Sequence, residues 1–131
     1  MTILPAALLI MVLLTGCASK DAAEKKTAGY QQISQEEAAE MMEKDDGHVI
    51  LDVRRQDEYA SGHIPGAICI PNESINYDMP DELPDPDQML LVYCRSGRRS
   101  KEAAQKLADL GYTNVLEFGG IITWTGSVTT E

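Results

Sequence analysis

Cysteine and histidine are scarce in this chain: three Cys and two His among 131 residues. Cys17, Cys69 and Cys94 are too few and too widely spaced for a disulfide framework or a Cys-x2-Cys metal site. With two histidines, His48 and His63, and three scattered cysteines, a zinc site has little support. Basic residues are also in short supply. Eleven Lys and Arg stand against twenty-one Asp and Glu, a net charge of −10, which excludes a nucleic-acid partner because a phosphate polyanion needs a net basic face. Long apolar runs are missing too. The longest, Ile3 to Leu14, is broken by Pro5 and is too short to cross a bilayer as a stable helix. There are no internal repeats. The length accommodates one domain of roughly 100 residues and an appendage, not two cores.

The Ile3–Leu14 run has the length of a signal-peptide core. It leads into Leu14-Thr15-Gly16-Cys17, which resembles the lipobox of bacterial lipoproteins. That resemblance implies cleavage before Cys17 and lipidation of its thiol, although Met1-Thr2-Ile3 carries no Lys or Arg. Residues 1–16 then form a lipoprotein signal peptide. Residues 17–29 form the lipidated cysteine and a tether of small and charged residues with too little apolar surface to fold. Residues 30–131 form the domain. The expected location is extracytoplasmic, on the cell membrane or outer membrane, with the membrane contacted through the lipid anchor only.

Within the domain, Ser34-Gln35-Glu36-Glu37 is a capping box, and Ala38, Ala39, Met41 and Met42 give the following helix an apolar face. Val49-Ile50-Leu51, Gly66 to Ile70, Met89 to Tyr93 and Val115 to Phe118 read as strands, the first as one covered on both faces. Helices are expected over Gln56–Ala60, Lys101–Leu110 and briefly Ile121–Trp124, and the acidic, proline-rich stretch from Asp78 to Asp87 is a loop. Strands alternating with helices across short turns predict an α/β domain with a parallel sheet.

The chemistry concentrates in Cys94-Arg95-Ser96-Gly97-Arg98-Arg99-Ser100, directly after the strongest strand. Open parallel sheets place their ligand sites at such carboxyl ends. Three of the eleven basic residues fall within five positions here, a local cationic spot suited to a small anion on an acidic protein. Gly97 gives the freedom for a tight turn whose amides form an anion nest, and the next helix adds its positive N-terminus. All three effects favour thiolate over thiol at Cys94. Cys69, between Ile68 and Ile70, reads instead as a small buried hydrophobe.

This loop resembles the active loop of single-domain rhodaneses. Leu51-Asp52-Val53-Arg54 with Glu58-Tyr59, Gly62-His63-Ile64-Pro65-Gly66-Ala67, and Gly119-Gly120-Ile121 with Trp124 are similar to the other stretches that mark the family. The resemblance implies a rhodanese-like fold, a five-stranded parallel sheet flanked by helices on both faces. It implies a sulfurtransferase that moves sulfane sulfur from thiosulfate or a similar small anionic donor, through a Cys94 persulfide, to a thiol or cyanide acceptor or a redox protein. Arg95, Ser96, Gly97, Arg98, Arg99 and Ser100 are the expected substrate-binding residues, with Arg99 also open to a structural tie. Asp52 and Arg54 are expected in support, mostly as structural partners. His63 is expected to hold a turn and Trp124 to pack on the sheet. No metal or organic cofactor is implied, and the expected state is a monomer. Two alternatives remain: a carrier or binding module that holds a persulfide or anion for a partner protein, and a cysteine-dependent phosphatase or arsenate reductase. The second is disfavoured by loop length, since phosphatases use Cys-x5-Arg and here Arg99 gives Cys-x4-Arg.

Overall fold

A computed structural model describes residues 29–131; the expected signal peptide, Cys17 and nearly all of the tether lie outside the described residues. Five strands form one sheet in the order β1-β5-β4-β2-β3, every neighbouring pair parallel. They are β1 (Gln31–Gln32), β2 (Val49–Asp52), β3 (Ile68–Cys69), β4 (Leu90–Cys94) and β5 (Val115–Gly120). The helices are α1 (Gln35–Met42), α2 (Gln56–Ser61) and α3 (Arg98–Asp109), with 3₁₀ turns at Asn72–Ser74 and Ile121–Thr123. No helix among the described residues is long and apolar enough to cross a membrane.

The apolar strands are central because side chains alternate between faces and both faces are covered. Leu51, Val53, Leu90, Val92, Cys94 and Val115 pack with Ala103, Ala104 and Leu107 of α3. Ile50, Leu91, Tyr93, Leu116 and Phe118 pack on the opposite face with Ala38, Met41 and Met42 of α1 and with Tyr59 of α2. α1 starts as expected: Ser34 Oγ accepts from the Glu37 amide at 3.0 Å and donates to the Glu37 carboxylate at 3.3 Å. The acidic loop is pinned by Leu83, wholly buried, whose carbonyl accepts from Tyr112 Oη at 2.6 Å.

Three elements differ from expectation. β1 is an additional short edge strand; its Gln-Gln sequence has no apolar signature, and it forms because Gln31 and Gln32 pair with Leu116 and Glu117. β3 is shorter than the Gly66–Ile70 run and only half buried, since it closes the other edge and has a neighbour on one side. α3 begins at Arg98, three residues earlier than expected, because Gly97 at φ 109° turns the chain straight into the helix. Arg98, Arg99 and Ser100 therefore form the first helical turn and not an extended loop.

Candidate active site

β4 delivers Cys94 to the carboxyl edge of the sheet, and α3 starts four residues later. The β4–β5 register shifts between Val92 and Cys94, so Cys94 pairs with Gly120. Its Sγ accepts the Gly97 amide proton at 3.0 Å, immediately before the helix N-terminus, and its thiol donates to Ser100 Oγ at 3.3 Å. No side chain caps α3, which leaves its positive end facing the sulfur. Cys94 is 1% exposed, so a reagent must be small to reach it.

Beside the loop that follows Cys94 is an open cleft of about 650 Å³ lined by Arg54, Arg55, Arg95, Arg98 and Arg99, with Glu58, Glu73, Ser61, Ser96, Ile121 and Ile122. The three loop arginines have different situations. Arg99 grips Glu58 with two bonds, Nη1 to Oε1 at 2.7 Å and Nη2 to Oε2 at 2.9 Å, and holds that carboxyl at about 2, well under its ordinary 4.5. This pair fastens α3 to α2. Arg98 pairs with Glu102 one turn along α3 at 2.8 Å. Arg95 is exposed and, among the described residues, has no carboxylate partner, which makes it the loop arginine with its charge free for an anion.

Asp52 and Arg54 are buried against each other. Arg54 Nη2 meets Asp52 Oδ2 at 2.7 Å and donates to the Gly62 carbonyl at 2.6 Å, while Tyr93 Oη donates to Asp52 at 2.7 Å and accepts the Ile64 amide at 3.1 Å. The network ties β2, β4 and the Gly62–Ile64 turn together below the cleft. Arg54 reaches the cleft wall, whereas Asp52 is wholly buried. His63 stacks on Tyr59 at 3.7 Å, with its Nδ1 2.8 Å from the Tyr59 carbonyl oxygen, and so holds that turn. Trp124 packs on Phe118 at 5.7 Å. Cys69 is half buried with its thiol donating to the Arg54 carbonyl at 3.4 Å, and burial pushes it up to about 11, which keeps it an unreactive thiol near neutral pH.

Two contributions to the site were missed from sequence. The first is the reason for Gly119-Gly120. A Cβ on Gly120 falls 2.0 Å from the Arg95 carbonyl oxygen and 2.6 Å from Ser96 Cα, so the reactive loop rests directly on the β5 backbone there. The Ile122 amide donates to the same Arg95 carbonyl at 3.2 Å. The second is Glu117, which is 2% exposed and takes a hydrogen bond from Ser100 at 2.5 Å. Its signal was present: one carboxylate inside the otherwise apolar Val115–Phe118 run.

A parallel sheet with a cysteine at the carboxyl end of a central strand, held at a helix N-terminus beside arginines, defines an α/β protein with its candidate site at the carboxyl edge of the sheet. Comparison with known proteins gives the family. The model of the rhodanese-like domain matches residues 34–127. Thiosulfate sulfurtransferase PspE of Escherichia coli is 37% identical over 71 residues, 54% of this chain and 68% of that protein. A sulfurtransferase of Allochromatium vinosum is 36% identical over 94 residues, 71% of this chain and 86% of that one. A solved structure, a rhodanese with anions from E. coli, superposes with a TM-score of 0.59 at 31% identity, covering 64% of this chain and 99% of that one. The chain belongs to the rhodanese-like family.

Proposed function

We propose that this chain takes the outer sulfur of thiosulfate, or of a similar small anionic donor, onto Cys94 as a persulfide and passes it to a thiophilic acceptor. The sulfurtransferase class rests on the family and on relatives that carry that name. The observation that carries the finer reading is the setting of the Cys94 sulfur: one backbone amide on it at 3.0 Å, the α3 N-terminus behind it, and Arg95 unpaired at the mouth of the cleft. The Cys94 thiolate attacks the outer sulfur of the donor. A new S–S bond forms, the donor S–S bond breaks, and sulfite leaves with the electron pair. The product carries its negative charge on the terminal sulfur, beside the amide and helix end that stabilised the thiolate.

The phosphatase reading is weaker on the same geometry. At the Cys-x5-Arg position stands Ser100, backed by the Glu117 carboxylate, and Arg99 is committed to Glu58. A phosphate dianion meets a carboxylate where it needs a guanidinium.

Incubation with thiosulfate should add about 32 Da, one sulfur, to Cys94, and steady-state turnover with thiosulfate and cyanide separates an enzyme from a carrier. Cys94→Ser should lose both adduct and turnover while Cys69→Ser keeps them. Turnover retained in Cys94→Ser sinks the mechanism. We further propose, from the Leu14–Cys17 sequence, that the domain works outside the cytoplasm on a lipidated Cys17.

A further inference from the structure

Behind the reactive loop, on the side away from the arginine cleft, lies a carboxylate that sulfur transfer as written above does not use. Residues of β5 alternate between faces, so Glu117 shares the α3 side of the sheet with Val115 and Cys94, where an apolar residue is expected. It is 2% exposed, and among the described residues it forms no ion pair. Its partners are neutral: Gln32 Nε2 at 3.3 Å, the Gly119 amide at 2.9 Å and the Ser100 hydroxyl at 2.5 Å. Such a carboxylate has no countercharge, and its compensation is confined to these three hydrogen bonds and to any proton it accepts.

The hydrogen bonds define where that proton comes from. Ser100 has one hydroxyl proton and three oxygens in reach: Glu117 Oε2 at 2.5 Å, the Gly97 carbonyl at 3.0 Å and the Gly119 carbonyl at 3.4 Å. The short bond to a carboxylate takes it. The free lone pairs of Ser100 Oγ then accept from Cys94, whose sulfur is 3.3 Å away. Thiol, hydroxyl and carboxylate are thus connected in one direction.

We propose that Glu117 is the proton acceptor for Cys94, acting through the Ser100 hydroxyl. The Cys94 S–H bond breaks as its proton passes to Ser100 Oγ, and the Ser100 proton passes to Glu117 Oε2. Thiolate, unchanged hydroxyl and neutral carboxylic acid result, with the net charge the same before and after. When the thiolate becomes a persulfide anion, Glu117 stays neutral, and two like charges never face each other across Ser100. The other charged groups around the sulfur lie on the cleft side: Arg95 is open, Arg98 and Arg99 are paired to Glu102 and Glu58, and Arg54 is paired to Asp52. On the sheet side, Asp52 of β2 is held by Arg54, and the β1 neighbour of Glu117, Gln32, is neutral.

The inference rests on Cys94 being the reactive sulfur, but its test needs no sulfur donor. The rate of Cys94 alkylation by iodoacetamide is followed against pH in the full chain, with the adduct located by peptide mass spectrometry. In wild-type protein the rate should level to a plateau on the acid side, because proton exchange inside the pair does not depend on pH. Glu117→Gln and Ser100→Ala should lose the plateau and fall about tenfold per pH unit, as a lone thiol does. Difference infrared spectra should show a carboxylic-acid band in the persulfide-loaded wild type that Glu117→Gln lacks. A wild-type rate falling about tenfold per unit with no plateau overturns the proposal, however the variants fold. A plateau that survives in Ser100→Ala overturns the route through the hydroxyl. A plateau without any thiosulfate adduct supports the proton pairing and instead removes the sulfur-transfer reading.

Discussion

Replacing Gly120 by Ala tests whether the reactive loop is held in place by the β5 backbone. The added Cβ stands 2.0 Å from the Arg95 carbonyl oxygen, 2.5 Å from the Arg95 carbonyl carbon and 2.6 Å from Ser96 Cα. All three are backbone atoms, so no flexible side chain can swing aside. Tight contact ends near 3.4 Å, and the carbonyl must therefore retreat by about 1.4 Å. Arg95 is joined directly to Cys94, and its carbonyl is anchored by the Ile122 amide, so the displacement passes to the sulfur and to the Gly97 amide that faces it. A misplacement of about 1 Å at reacting atoms costs on the order of 10²-fold in rate. The overpacking itself costs about 1–3 kcal/mol of stability. Gly47→Ala is the control, because its Cβ meets nothing within 4 Å and its φ of +79° carries the whole cost. That control should lose about 1–2 kcal/mol in thermal or urea unfolding and keep its turnover. Thiosulfate–cyanide turnover of Gly120→Ala should fall by about two orders of magnitude while the chain remains folded. If folded Gly120→Ala retains more than about a third of wild-type turnover, the loop is not positioned by this contact.

Glu58→Gln breaks the α2–α3 pair. Arg99 holds the Glu58 carboxyl at about 2 in the folded state against an ordinary 4.5, so the pair's stabilisation is fully present above about pH 4.5 and is lost as pH falls toward 2. The variant should be less stable than wild type by about 1–2 kcal/mol at pH 7, with the difference shrinking across that acid window, as read by urea unfolding at several pH values; a constant difference refutes the linkage. Arg95→Ala should raise the KM for thiosulfate about tenfold with a smaller change in kcat, whereas Arg98→Ala, whose charge is already paired to Glu102, should change KM less. The reverse order would show that Arg98 is the donor contact. Expressed from its own start in a bacterium with lipoprotein processing, the full chain should partition into detergent and lose residues 1–16, and Cys17→Ala should block that processing. Soluble wild-type protein with Met1 intact defeats the lipidation proposal and leaves the sulfur chemistry untouched.

What the sequence made legible is what is local or periodic. The continuous apolar runs of β2 and β4 located the sheet core, Ser34 and Glu37 located the start of α1, and Cys94 with its arginines located the site. What it concealed is what depends on a partner far along the chain. Gln31–Gln32 becomes a strand only because β5, some 85 positions away, offers it a ladder. The arginines looked alike as a run of charge, yet one is fastened to Glu58 of α2, one to its own helix, and one is open. Loop composition cannot distinguish those situations, because each is decided by whether a carboxylate from elsewhere arrives within about 3 Å. Gly120 belongs to the same class, since its need to be glycine is set by the path of the Arg95–Ser96 backbone across it.

Glu117 shows how such a residue can still be found before its partner is known. A carboxylate in the middle of a buried strand conflicts with the pattern around it, and a sequence that otherwise agrees with its fold departs from it mainly where function or strain requires. Here the conflict resolves at Ser100, one hydrogen bond from Cys94. The connection is concealed by the position of the α3 start, three residues before the one the sequence predicts. With α3 beginning at Lys101, Ser100 is a loop residue of undefined direction. With α3 beginning at Arg98, it is the third residue of the first turn and is held between the sulfur and the sheet. The position of one helix boundary, set by the left-handed Gly97, therefore decides whether the loop is read as a cationic cup alone or as a cup with a proton acceptor behind it.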